Sequence, residues 1–409
     1  MFNLKYFSIK KVIIFILAIV LLFFSMKFFE KQQMMTGECS SAYLSGAANW
    51  SLGTPWRVNN DEMVFFEKLE RNNKLNYRFT KEDNLEHYNY NAIGLLHINA
   101  LARNIFFWQG DLQSIISLQQ LVHVLLSFWI LLLLKSYYHK IIFYFLYVIN
   151  PIILYFVDFP YYYFWQVVPS AIFIVYLLNN KLIKNKIFLI SIIFAFVLIT
   201  RPSTLFILLF ILGYIGYQEG KIRAVIAMVL FLGLGSLLKP SASYEGWHTM
   251  YVGIGAYQNK YGIEMKDRSG FQVFNRETDK VMIGGCKQND NSRIYNDFIK
   301  KKYFNILKES PLLLAKNALL NILQSYGIGY KVNMMNLNYL SSFFGFLLIF
   351  LLLYFNQYTL FFAIGFAGAS FTPYFPPIGA YMFGSYMLII FAWLVVGTKI
   401  LNKIRKVGV

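Results

Sequence analysis

The chain has 409 residues, of which 57% are hydrophobic, 19% aromatic and only 14% charged. In soluble domains about a quarter of all residues are charged, so this composition excludes an ordinary soluble protein. Its net charge of +18 does not indicate nucleic-acid binding, because the basic residues cluster in short loops between apolar runs. Since open sheet edges cannot face lipid, the sequence predicts an all-α polytopic membrane protein.

About ten apolar segments are long enough, or nearly so, to be transmembrane helices. They cover residues 12–29, 112–134, 140–158, 161–178, 187–200, 203–218, 223–238, 338–355, 358–373 and 379–398. Basic clusters follow alternate segments, so both termini are predicted to be cytoplasmic. Frequent Ile, Lys, Asn, Phe and Tyr are associated with AT-rich bacterial genomes, and we therefore expect the inner membrane of a bacterium.

This segmentation predicts five regions. They are an N-terminal transmembrane helix (1–29), a first extracytoplasmic loop (30–111), transmembrane helices 2–7 (112–238), a second extracytoplasmic loop (239–337), and helices 8–10 with a basic cytoplasmic tail (338–409). Both extracytoplasmic loops are predicted to contain interfacial helices. Cys39 and Cys286 each fall in one of these loops, so a disulfide between them and two unpaired thiols are equally open interpretations.

The first loop contains an acidic pair, Asp61 and Glu62, in "NNDEMVFFEKLERN". The pattern predicts a helix capped by Asn59 or Asn60. Carboxylates here could act as a general base or hold a divalent cation, Mg²⁺ or Mn²⁺. The simpler interpretation is that they complement the dipole of a solvated helix.

The same loop ends in "NAIGLLHINALARNIFFW", which has a helical pattern but is too polar to span comfortably. We expect it to lie in the membrane interface. His97 and Arg103 on this helix could reach a lipid phosphate, although lone basic residues of this kind are more often amphipathic anchors.

Arg201 stands between two apolar stretches in "LITRPSTLF". An arginine in such a position is costly and indicates function. Its planar guanidinium suits a phosphate or pyrophosphate. The alternative is an interfacial anchor, which the positive-inside rule disfavours on this face.

The second loop opens with "GWHTMYVGIGAYQNKYGIEMKD", in which aromatic and polar residues are interleaved. Aromatic rings beside hydrogen-bonding groups suit a sugar, and a histidine could pair with a phosphate. An aromatic belt at the interface is an equally open interpretation. The predicted phosphate ligand is His248, and the predicted sugar or acceptor ligands are Trp247, Tyr251, Tyr257, Asn259, Tyr261, Glu264 and Asp267.

With these residues the chain resembles the GT-C fold glycosyltransferases, in a poorly characterised bacterial branch. The resemblance rests on Asp61-Glu62 in the first outer loop, on many spans alternating with basic inner loops, and on the stretch from Gly246 to Asp267. The similarity in topology covers nearly the whole chain, and the similarity in sequence motif covers about thirty residues. The chain departs from the family in having no large soluble C-terminal domain and no proline-rich pattern after the acidic pair.

The resemblance implies an inverting transfer of a hexose or pentose from a polyprenyl-phosphate-linked donor to a hydroxyl of a glycan or lipid acceptor. Asp61 would deprotonate the acceptor, and Arg201 and His248 would stabilise the departing lipid phosphate. Two other functions remain open: a transporter or flippase of lipid-linked glycans, and an O-antigen-type polymerase that depends on outer-loop arginines.

Overall fold

The computed structural model describes residues 9–30, 39–50, 57–80, 86–87, 92–237, 246–282 and 291–407. Its first part contains α1 (Ile9–Glu30), α2 (Ser40–Asn49), β1 (Arg57–Val58), α3 (Asn60–Lys68), α4 (Arg71–Asn76), β2 (Glu86–His87), α5 (Ile93–Ile105), α6 (Asp111–Leu133), α7 (Tyr137–Phe143), α8 (Pro151–Val157), α9 (Val167–Leu178), α10 (Ile187–Thr200), α11 (Leu205–Glu219) and α12 (Lys221–Leu237). The second part contains α13 (Trp247–Gly253), α14 (Asp267–Glu277), α15 (Ser292–Glu309), α16 (Pro311–Ser325), α17 (Met335–Tyr354), α18 (Tyr358–Gly368) and α19 (Gly379–Val407). The prediction of an all-α architecture is confirmed for these residues, whose strands β1 and β2 form one short antiparallel pair.

Helices occupy all ten of the predicted apolar segments. Among the described residues, three helices are long and apolar enough to cross a membrane: Asp111–Leu133, Met335–Tyr354 and Gly379–Lys406. A bent pair, Tyr137–Val148 with Pro151–Val157, makes a fourth if it counts as one span. Several apolar helices therefore suit a membrane, whereas the number of about ten crossings stays a prediction.

The surface of these helices supports a membrane environment. Helix α6 buries polar residues, among them Gln119 and His123, and exposes Leu121 and Leu125. In α17, Asn338 is likewise buried, while four phenylalanines are exposed. Polar groups inside a bundle and large apolar side chains outside it are typical of helices surrounded by lipid.

The bent pair was not predicted. Helix α7 continues into a π-helical turn, Tyr144–Val148, and α8 then begins at Pro151 with a bend of 55°. Proline has no backbone N–H and interrupts the helical ladder. The side chain of Asn150 accepts a hydrogen bond from the Ile152 amide at 2.9 Å, which caps the new helix.

The first predicted loop folds into α2–α5 with the β1–β2 pair. The predicted helix after Asn59 is confirmed as α3, and Asn59 caps it by accepting a hydrogen bond from the Glu62 amide at 3.0 Å. The second predicted loop forms α13–α16. Its own apolar cluster includes Tyr251, Phe274 and Tyr295, while α16 packs along α17.

Candidate functional site

Arg201 lies in the break between α10 and α11. Its backbone is extended (φ −144°, ψ 89°), because the following Pro202 disfavours a helical conformation before it. Thr204 donates two hydrogen bonds to the Arg201 carbonyl, from its amide at 3.0 Å and from its hydroxyl at 2.7 Å. This turn fixes the backbone from which the arginine side chain extends.

The guanidinium of Arg201 lies among three tyrosine rings, which we call the tyrosine cage. Its central carbon is 4.6 Å from the ring centre of Tyr162, 5.0 Å from Tyr163 and 4.6 Å from Tyr381. The residue is only 8% exposed, and its Nε and Nη2 atoms have no hydrogen-bond partner among the described residues. The cage therefore presents a buried positive charge with unused donors, which suits an anion.

Separate parts of the chain build the cage. Tyr162 and Tyr163 follow Pro160 in the turn between α8 and α9, and α6 holds that turn, because Gln119 donates to the Phe159 carbonyl at 2.9 Å. Tyr381 stands near the start of α19. Arg201 was predicted from the sequence, whereas these tyrosines were not. The run of tyrosines after Pro160, at the end of an apolar segment, was the signal available.

His248 is buried against side chains of α14 and α15. Its Nδ1 hydrogen-bonds the Tyr295 hydroxyl, its Nε2 lies 3.5 Å from Asp267 Oδ1, and its ring stacks on Phe271 at 4.8 Å. The hydrogen bond from His248 lowers the pKa of the Asp267 carboxyl below its usual value. The carboxylate of Asp267 and the hydroxyl of Tyr295 thus fix the orientation of the His248 ring.

Asp267 connects this pair with the tyrosine cage. Tyr381 interacts electrostatically both with Arg201 and with Asp267. The Asp267 side chain remains 73% exposed. Asp267, and through it His248, thus lies within electrostatic range of Tyr381 in the tyrosine cage, although neither contacts Arg201 directly in the described chain.

The other predicted sugar ligands divide into two groups. Tyr251, Tyr261 and Glu264 line a polar cleft of about 380 Å³ between α14 and the loop that precedes it. Tyr257 and Asn259 are engaged within the protein. The Tyr257 hydroxyl contacts the side chains of Asn321 and Gln324 in α16, and burial raises the pKa of Tyr257.

Asn259 organises the loop beside the cleft. Its side chain donates to the carbonyls of Tyr257 and Ile263 and accepts from the amides of Tyr261 and Ile263, at 2.9–3.1 Å. Trp247 packs against Phe304 at 5.4 Å and lies under the ammonium of Lys300. Asn259 thus shapes the loop that carries the cleft, and Trp247 attaches α13 to α15.

Glu62 belongs to a buried polar cluster at the start of α6. Its Oε1 accepts hydrogen bonds from the Tyr77 hydroxyl at 2.9 Å and from the Thr80 amide at 2.8 Å, whereas its buried Oε2 has no partner among the described residues. In the same cluster, Arg103 pairs with Asp111 and donates to the Phe79 carbonyl at 2.8 Å. These contacts engage Arg103 within the protein.

Asp61 and His97 lie at different edges of the first loop. Asp61 is exposed in the first turn of α3 and forms no ion pair with any described residue. His97 Nδ1 accepts a hydrogen bond from Trp50 Nε1 at 3.0 Å, and burial lowers the pKa of His97. Neither residue contacts the guanidinium of Arg201 in the described part of the chain.

Helix α5 nevertheless reaches the turn that carries Arg201. A Cβ added to Gly94 would lie 2.2 Å from Thr200 Oγ1 and 2.6 Å from the Thr200 amide nitrogen, so only glycine permits this approach. The first loop is thereby packed against the residue that precedes Arg201. This contact gives the first loop a fixed place beside the tyrosine cage.

The described residues contain no group of three or more His, Cys, Asp or Glu side chains that could hold a metal ion. The metal role of Asp61 and Glu62 stays a prediction that rests on two adjacent carboxylates. Cys39 is disulfide-bonded. The chain's other cysteine, Cys286, lies outside the described residues.

Comparison with known proteins adds no relative: no protein-family model, no curated protein and no solved structure matches this chain. We therefore infer the function from the residues of the site itself.

Proposed function

We propose that this protein is an integral membrane glycosyltransferase. It transfers a sugar from a polyprenyl-phosphate-linked donor to an acceptor hydroxyl on the extracytoplasmic face. The observation that carries the proposal is Arg201, a buried charge with two unused donor groups. Burying an ion without a counter-ion costs several kcal/mol, so an arginine kept in this state indicates an anionic ligand.

The donor phosphate fits the tyrosine cage. A guanidinium offers parallel N–H donors that match phosphate oxygens, and Nε and Nη2 lie on one edge of its plane. The tyrosine rings contribute flat apolar surface and reduce access of water, which strengthens the charge interaction. The polyprenyl chain would extend along the exposed apolar sides of the spanning helices.

In the proposed reaction a carboxylate takes the proton of the acceptor hydroxyl. The acceptor oxygen forms a bond to the anomeric carbon, and the bond from that carbon to the phosphate oxygen breaks. The electron pair leaves with the polyprenyl phosphate, whose charge Arg201 stabilises. Attack from the face opposite the phosphate inverts the anomeric centre.

Two carboxylates are candidates for the base. Asp61 is the residue expected from the sequence, and its exposed position leaves the carboxylate free to meet an acceptor. Asp267 is the carboxylate that interacts with Tyr381 of the cage, and its bond to His248 keeps it ionised. A base must be ionised and within hydrogen-bond reach of the acceptor hydroxyl.

The test uses full-length protein in lipid nanodiscs with a polyprenyl-phosphate sugar labelled in the sugar. We expect free polyprenyl phosphate to form, and Arg201→Gln to abolish its formation. Asp61→Asn and Asp267→Asn identify the base, because only loss of the base removes turnover while binding of the donor remains. Glu67→Gln is the matched control, since Glu67 lies on α3 with Asp61 and pairs only with Lys74 at 3.6 Å in the described chain.

A transporter of lipid-linked glycans would also need a site for the phosphate. The same protein in sealed vesicles distinguishes the two functions. A donor that crosses the bilayer with its sugar still attached would replace the proposal with transport. Intact donor that neither reacts nor crosses, in a correctly folded protein, would contradict both.

A further inference from the structure

The polar cleft of about 380 Å³ beside α14 is a second site that the sequence analysis did not identify as one unit. Its lining comes from α13, from the loop that Asn259 organises and from α14. The lining includes Tyr251, Tyr261, Glu264, Lys266, Arg268 and Arg276. We propose that this cleft binds the acceptor as an acidic carbohydrate, whose phosphate or carboxylate group meets Arg268 and Arg276. The proposal rests on the proposed function.

The charges of the cleft are unbalanced. Three basic side chains line it against the single acid Glu264, and that acid is taken by Lys266 at 2.6 Å. Arg276 lies 3.8 Å from Glu277, but the same carboxylate pairs more closely with Lys302, at 2.5 Å. Among the described residues, the guanidinium of Arg276 therefore shares the carboxylate of Glu277 with Lys302.

Arg268 forms no close ion pair with any described residue, although its charge acts at longer range on Glu264, which Lys266 already pairs. Together the two arginines present planar donor groups that suit the two oxygens of a carboxylate or phosphate. A neutral sugar would leave this excess positive charge uncompensated. An acidic group on the acceptor would neutralise it.

The rest of the lining suits a sugar ring. Tyr251 and Tyr261 provide aromatic surface, and Ser269 and Gln272 provide hydrogen-bonding groups for hydroxyls. The volume lies at the lower end of the range for small-ligand sites, which begins near 300 Å³. One or two sugar residues therefore fit, with the rest of an oligosaccharide outside the cleft.

The position of the cleft relates it to the tyrosine cage. Asp267 is the residue immediately before Arg268, and it interacts with Tyr381 of the cage and with His248. A carbohydrate held by Arg268 would place its next sugar close to Asp267.

Binding is measured on the full-length protein in nanodiscs of phosphatidylcholine. The probes are a galacturonic-acid tetramer, a short glycerol-phosphate oligomer and, as the neutral control, a glucose tetramer. We expect the two acidic probes to bind at least about tenfold more tightly than the neutral one, because each charge-assisted contact supports about a tenfold difference in Kd. Added salt should weaken the binding of the acidic probes and leave the binding of the neutral probe unchanged.

Variants assign the binding to the cleft. Arg268→Gln with Arg276→Gln should remove the preference for acidic probes. Arg268→Lys with Arg276→Lys should retain part of it, because the charge remains while the paired donors are lost. Arg293→Gln, an exposed arginine at the start of α15, is the matched control and should change nothing.

Three results would overturn the proposal: equal binding of acidic and neutral probes, a preference that survives the double glutamine substitution, or displacement of the acidic probes by phosphatidylglycerol added to the nanodisc. The last would make the cleft a lipid headgroup site. The outcome is separable from the proposed function. If acidic probes bind but donor is never cleaved, only the enzyme proposal fails. If the wild-type protein cleaves the donor as fast with a neutral acceptor as with an acidic one, only the cleft proposal fails.

Discussion

Replacing Arg201 by glutamine separates the folding role of this residue from its role in binding. The side chain is buried, its guanidinium contacts three tyrosine rings, and two of its donor groups have no described partner. If the residue serves mainly to stabilise the fold, its removal should destabilise the protein. If it is kept for an anionic ligand, its removal should cost little stability and much affinity.

The expected magnitudes follow from this environment. Each cation–π contact contributes about 0.5–2 kcal/mol, and the three together favour the native arginine. Against them stands the desolvation of a guanidinium without a counter-ion, which costs several kcal/mol. Since these effects oppose each other, the free energy of unfolding should change by less than about 2 kcal/mol. Losing a buried charge contact with phosphate costs about 2–5 kcal/mol, which raises the Kd about 30- to 5,000-fold.

The assay measures two quantities on the same nanodisc samples: the Tm without ligand, and the Kd for polyprenyl phosphate. Arg201→Gln should leave the Tm nearly unchanged and raise the Kd strongly. Arg201→Lys should give an intermediate Kd, because an ammonium retains the charge but not the paired donors. A large fall in Tm with an unchanged Kd would refute the reasoning and make Arg201 a structural residue.

Three further predictions concern the surroundings of the site. Gly94→Ala should lower the free energy of unfolding by about 1–3 kcal/mol and weaken phosphate binding, because the added Cβ would meet the backbone of α10. Gly213→Ala is the control and should change neither quantity, since Gly213 has open space around it. The Tm reports the change in stability, and the Kd reports the change in phosphate binding. Cys39 should resist maleimide until a reductant is added, and Cys39→Ser should lower the Tm, because losing a disulfide costs about 2–5 kcal/mol. The lowered pKa of Asp267 means that its stabilising contact with His248 is present above the ordinary pKa of about 3.9 and is lost as the pH falls through the folded value. The Tm difference between wild type and Asp267→Asn should therefore shrink below about pH 4, and a difference independent of pH would contradict the contact.

Much of the fold could be predicted from local features of the sequence. Apolar runs identified the helical segments, since burial in lipid requires long apolar stretches with satisfied backbone groups. Asn59 or Asn60 was predicted as a helix cap from its position before Asp61 and Glu62, and the structure shows that the cap is Asn59. The bend between α7 and α8 was not predicted, although Asn150 and Pro151 carried the signal for it.

The site was harder to predict because its contacts join distant parts of the chain. Arg201 was identified from the cost of an arginine between apolar stretches, which is a local property. Its partners at positions 162, 163 and 381 come from two other segments, and no spacing rule relates them. For the same reason, the sequence could not show that Asn259 would hydrogen-bond its own loop, nor that Glu62 would be buried against Tyr77.

The central claim is that the tyrosine cage holds the phosphate of a lipid-linked sugar donor. A cryo-electron microscopy structure of the protein with a non-hydrolysable polyprenyl-phosphonate sugar tests it most directly. The account predicts phosphonate density within hydrogen-bond distance of Arg201 Nε and Nη2, with the sugar directed towards Asp267. Density for the donor at any other place, with the guanidinium still surrounded only by tyrosines, would contradict it.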